Sequence, residues 1–137
     1  MITLEQYFGP WIDHADATDE RKANAAKLLA ACADLEAKAV ADGVPFETNQ
    51  KTGNGVSGET YGGFRPQSCP IGAAHSSHKE GLAVDRYDPE GEIDAWCMAH
   101  QDDLAECGIY IEHPDYTRGW SHWTIRAPGS GHWVFIP

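Results

Sequence analysis

The sequence predicts an α+β domain: a small, mostly antiparallel sheet with helices packed on one face and polar side chains on the other. Three observations point there. Residues 18–42 form one run of helix formers, residues 43–75 are dense in glycine, proline, asparagine, serine and threonine, and the rest sets short β-prone runs around a second helical stretch. Helices set apart from strands in this way suit α+β rather than repeated βα units. A length of 137 residues allows one domain, 1–137, with a single core.

The first helix is expected over residues 18–42, where Ala25, Leu28, Leu29, Cys32, Leu35 and Ala39 recur at helical spacing. Asp16 or Thr18 can cap its start, Asp19 and Glu20 suit the positive end of its dipole, and Gly43 is a stop. Residues 43–75 read as a long loop with a short strand near Val56 or Phe64. Compact domains seldom carry such a loop without using it. A second helix is expected over 92–106 on Ile93, Trp96, Cys97 and Leu104, closed by Gly108. Strands are expected at 82–87, 109–113, 120–126 and 133–136.

Composition narrows the function. A formal net charge of -11 with no basic cluster argues against nucleic acid or an anionic membrane as partner. No window approaches the roughly 20 apolar residues that span a bilayer, and no cationic segment precedes an apolar one at the N-terminus. A cytoplasmic monomer on synthesis is expected. Cys32, Cys69, Cys97 and Cys107 form no C-x-x-C pair, which argues against a structural zinc knot and for a reduced state.

Strand period two gathers the chemistry. It puts Asp85, then Tyr110 and Glu112, then Trp120, His122 and Thr124 at alternating positions, with Val84, Ile109, Ile111, Trp123 and Ile125 at the opposite, apolar ones. Asp85 in the run L-A-V-D is costly to bury without a partner for its charge. A metal held by His78, Asp85 and His122 would supply one, and three protein ligands would leave zinc an open fourth position. The alternative partner is a core arginine such as Arg126 in a structural ion pair. Glu112 is then the candidate carboxylate for proton transfer.

The run S-S-H-K-E-G-L-A-V-D at residues 76–85 matches S-x-H-x-x-G-x-A-x-D through Ser76, His78, Gly81, Ala83 and Asp85. In this it resembles the M15 family of zinc peptidases, carboxypeptidases, dipeptidases and phage endolysins that cut peptidoglycan peptides. Two more stretches are similar: G-G-F-R-P at 62–66, and I-Y-I-E at 109–112 followed by G-W-S-H-W-T-I-R at 119–126, the latter pair most like the small phage and prophage branch. The likeness covers roughly residues 45–137, with the metal-site core from about 60.

The resemblance implies Zn2+ at His78, Asp85 and His122, and Arg65 directed at the substrate's scissile carbonyl or terminal carboxylate. Ser76 and Trp120 fall at the substrate side, Ser76 also as a support within the metal loop. Many members carry the catalytic acid three residues before the last histidine, and Gly119 stands there, so the base falls to Glu112 on the strand-face argument, with Asp115 second. The implied activity is hydrolysis of peptidoglycan stem peptides or cross-links by a phage or prophage enzyme that reaches the wall after release or as a virion component. An inactive, zinc-stabilised binding or virion protein of the same fold is the alternative.

Overall fold

The computed structural model describes residues 1–137. Its elements are α1 (Leu4–Phe8), α2 (Asp19–Ala41), β1 (Ala83–Asp88), α3 (Glu92–Ala99), α4 (Gln101–Cys107), β2 (Tyr110–Glu112), β3 (Gly119–Thr124) and β4 (Val134–Phe135), with 3-10 turns at Gly9–Trp11, Ser77–Glu80 and Pro114–Tyr116. The fold is α+β. The four strands run in the order β1-β3-β2-β4, antiparallel except for the parallel β2–β4 pair.

Helix α2 follows its sequence pattern: Thr18 caps it by accepting from the Arg21 amide, and Ala25, Leu28, Leu29, Cys32, Leu35 and Ala39 are all buried. They join Val84, Ile111 and Trp123 from one face of the sheet in a single core. Arg86 is the charged exception on that face. It pairs with Glu36 of α2, and its guanidinium carbon lies 4.9 Å from the Phe46 ring centre and 5.0 Å from that of Trp123.

Two expectations need correction, and one element was not anticipated. The single helix over 92–106 is two helices, because His100 leaves helical geometry (φ -129°, ψ 48°), stacks on Trp96 at 4.4 Å and engages the Trp96 carbonyl through Nδ1. The N-terminal segment holds a short helix, α1, opened by a capping box between Thr3 and Gln6. The long loop contains no strand at Val56 or Phe64. Instead it lies along the free edge of β1 through one bridge, Val56 to Arg86, and the bonds Ser57 N–H to Asp85 O, Tyr87 N–H to Gly55 O and Asp85 N–H to Gly62 O. This covers an edge that would otherwise be open to pairing. All four cysteines are free, and no helix is long and apolar enough to cross a membrane.

Candidate metal centre

Asp85 and His122 are direct partners in the β1–β3 register, so their side chains leave the same face side by side. His78 comes from the 3-10 turn Ser77–Glu80, just before β1. Each fixed residue of the S-x-H-x-x-G-x-A-x-D run has a local task. Ser76 caps the turn, its Oγ accepting from the His78 amide at 3.3 Å. Gly81 ends it at φ +75°, where a Cβ would stand 2.5 Å from the Arg21 carbonyl oxygen on α2, so the turn packs this closely only with glycine. Ala83 is fully buried and its carbonyl accepts from the Tyr7 hydroxyl at 2.9 Å.

The G-G-F-R-P segment locks onto this turn. A Cβ at Gly63 would lie 2.0 Å from the Tyr7 carbonyl oxygen, while Phe64 fills the core 4.9 Å from Phe8. The Gly63 carbonyl sits 2.8 Å from His78 Nδ1. A carbonyl only accepts, so Nδ1 carries the proton and Nε2 presents its lone pair, 3.3 Å from Asp85 Oδ1. The same Oδ1 lies 2.9 Å from His122 Nδ1.

Asp85 Oδ2 accepts from Arg65 Nη2 at 3.2 Å, with both side chains nearly buried. Asp85 therefore has an arginine partner, and it is Arg65 rather than Arg126. Arg65 also donates through Nε to the Tyr61 carbonyl at 2.8 Å and through Nη1 to that of Ile71 at 3.4 Å. Three of its five N–H groups are so committed, leaving two. Arg126 instead donates to the His75 carbonyl at 3.1 Å.

The electrostatics follow from burial and these contacts. Burial works to raise the Asp85 carboxyl, but His78 and His122 outweigh it and hold the group well below the usual carboxylate range. Burial lowers His78 despite the attraction of Asp85. His122 is raised: burial opposes its charge, and the bond to Asp85 with the charges of Asp85 and Glu112 overcomes that. The site thus gathers one ionised carboxylate and two imidazoles, and their ligand atoms all lie within 4.8 Å of one another in buried surroundings. His78, Asp85 and His122 form a group that could bind a metal ion.

The centre lies in a cleft of about 600 Å³ whose walls include Arg65, Ser76, Glu112, Trp120, Arg126 and Phe135. The β2–β3 register carries Glu112 to the same face, and its Oε1 stands 4.0 Å from His122 Nε2, on the ring side away from Asp85. Trp120 borders a second hollow as well, of about 470 Å³, walled by residues 57–62 with Arg65, Ile71 and Asp85. Asp115 is exposed in the Pro114–Tyr116 turn and does not line the cleft, and Gly119 opens β3 with no side chain to offer.

Sequence reasoning missed three contributors. The Gly63 carbonyl that orients His78 is a backbone group with no side-chain signal, although the paired glycines mark a close approach there. The Arg65–Asp85 pair crosses from an aperiodic loop to a strand. Phe135, opposite Glu112 in the parallel β2–β4 register, adds an apolar wall to the cleft. No protein-family model, no curated protein and no solved structure matches the chain.

Proposed function

We propose that the chain is a zinc peptidase that hydrolyses peptide bonds in bacterial peptidoglycan stem peptides or cross-links, of phage or prophage origin. The observation that carries this reading is the meeting of His78 Nε2, Asp85 Oδ1 and His122 Nδ1 at the floor of an open cleft. The donor set fits zinc. Ligands at about 2.0–2.1 Å in tetrahedral array stand roughly 3.3–3.4 Å apart, and the carboxylate oxygen lies 3.3 Å and 2.9 Å from the two imidazole nitrogens. The fixed tautomer of His78, with its Nδ1–H on a backbone carbonyl, is the outer support that a metal-ligating histidine ordinarily has. The S-x-H-x-x-G-x-A-x-D run and its likeness to the M15 peptidases support the same choice of metal and substrate.

His78, Asp85 and His122 would hold the ion, and the chemistry zinc supplies when bound is Lewis acidity, which polarises a carbonyl and makes water nucleophilic at neutral pH. Glu112 is the proton carrier: half-buried on the cleft wall, it takes the attacking water's proton and delivers it to the leaving amine. Arg65, with two N–H groups free and its guanidinium fixed by Asp85 and two carbonyls, stabilises negative charge developing on the carbonyl oxygen. Trp120 and Phe135 give the peptide an apolar wall.

The test pairs metal content with mass analysis of muropeptides released from purified peptidoglycan. Wild-type protein should hold one zinc and release fragments. Glu112→Gln should keep the zinc and lose roughly 10²- to 10⁴-fold in rate; loss of zinc in that variant would make Glu112 a support for His122 instead. One observation favours a second reading, a zinc-stabilised binding or virion protein: Gly119 leaves the usual acid position of the resembling family empty. One equivalent of zinc with no fragment released under any condition selects that reading.

A further inference from the structure

The cleft has two guanidinium groups, Arg65 and Arg126, and they differ in what they have left to give. Arg65 is nearly buried and faces Asp85. Arg126 is exposed, has no carboxylate within ion-pair distance, and spends one N–H on the His75 carbonyl at 3.1 Å. Nη2 and Nε of Arg126 meet no protein acceptor.

Its backbone is well fixed. Arg126 lies two residues past the end of β3, and its amide donates to Oγ1 of the buried Thr124 at 3.1 Å, while that hydroxyl donates to the Leu82 carbonyl at 2.8 Å. The contact with His75 ties the guanidinium to the loop that leads into Ser76 and His78. The charge is thereby held against the cleft rim, just past the end of the strand that carries His122. The same cleft also carries Glu112, whose negative charge would repel an anionic substrate group.

We infer that Arg126 is a specificity residue that binds a carboxylate of the peptide substrate, so that the cleft selects peptides with a free carboxylate near the scissile bond. A planar guanidinium with an open edge suits a carboxylate through two parallel N–H···O bonds. The inference rests on the peptidase reading for its ligand class. In a stem peptide the carboxylate has two sources, the C-terminus and the α-carboxylate of a γ-linked glutamate, and the test separates them.

The probe is the pentapeptide L-Ala-γ-D-Glu-L-Lys-D-Ala-D-Ala, its C-terminal amide, and the form with D-isoglutamine in place of D-glutamate. Binding is measured by calorimetry in chelator, where no hydrolysis interferes, with wild type, Arg126→Gln and Arg126→Lys. The pentapeptide should bind roughly ten- to a hundredfold more weakly to Arg126→Gln, with Arg126→Lys between the two. One of the two neutralised peptides should bind wild type as weakly as the pentapeptide binds Arg126→Gln, and show no further loss in that variant; which one it is identifies the source. Equal binding of the pentapeptide to wild type and Arg126→Gln, or no binding by wild type, overturns the inference. The peptidase reading is scored separately, by hydrolysis of the same peptides after zinc is restored.

Discussion

Replacing Asp85 by asparagine keeps the shape of the side chain and removes the charge on which Arg65, His78 and His122 converge. In the metal-free protein the cost is that of leaving Arg65, with a side chain only 11% exposed, as an unpaired buried cation, which is about 3–5 kcal/mol. An unfolding entropy of about 2.1 cal/mol/K per residue over 137 residues converts this to a fall in Tm of roughly 10–17 °C. Urea denaturation in chelator at neutral pH measures it directly. The depressed carboxyl of Asp85 adds a pH signature: its contribution is present above the unfolded value of about 3.9 and is lost as pH falls through that value toward the lower folded one. The Asp85→Asn protein should lack this acid-side loss. Adding Arg65→Met should recover much of the stability, since the stranded cation is gone. A cost below about 1 kcal/mol, or strict additivity of the two changes, would refute the view that Asp85 is the hub of a buried charge network.

Asp94 provides an opposite pH response. Burial, with the nearby charges of Asp88 and Glu112, outweighs the bonds from Ser121 and Thr117 and pushes its carboxyl up to about 6. The folded state therefore binds more protons than the unfolded one between about 3.9 and about 6, so this group makes stability fall as pH rises through that window. Asp94→Asn should flatten the response, which parallel melts at pH 4.5 and 7 would reveal. Gly81→Ala places a Cβ 2.5 Å from the Arg21 carbonyl oxygen at φ +75° and should cost roughly 2–4 kcal/mol in denaturant. Its metal affinity should fall as well, because the turn carrying His78 must shift. Metal affinity of the wild type should weaken as pH drops through the raised value of His122, since a proton on Nδ1 displaces the ion; titrations at several pH values test this.

The parts of this arrangement written in local periodicity were legible. Helix α2 could be read from six buried positions at helical spacing, and period two was enough to put Asp85, Glu112 and His122 on one face because Val84, Ile111 and Trp123 mark the opposite, core-facing side of each strand. The Gly81 and Gly63 positions were visible as motif residues, yet their reason, contact with the Arg21 and Tyr7 carbonyls, depends on elements far away in sequence. The break at His100 has no glycine or proline to announce it, and arises from stacking on Trp96. The arginine that meets Asp85 lies in a loop without period, and its reach to the strand is decided by the tertiary path of residues 55–65 along the edge of β1.

The central claim is that His78, Asp85 and His122 grip one metal ion together. Thermal unfolding of the chelator-stripped protein with and without zinc, beside a calorimetric titration, tests it most directly. One equivalent should bind, and zinc at a hundredfold over its Kd should add about 2.7 kcal/mol of stability, both effects vanishing in His78→Ala and in His122→Ala. An unchanged melting temperature and no saturable heat, or binding that persists in both variants, would contradict it.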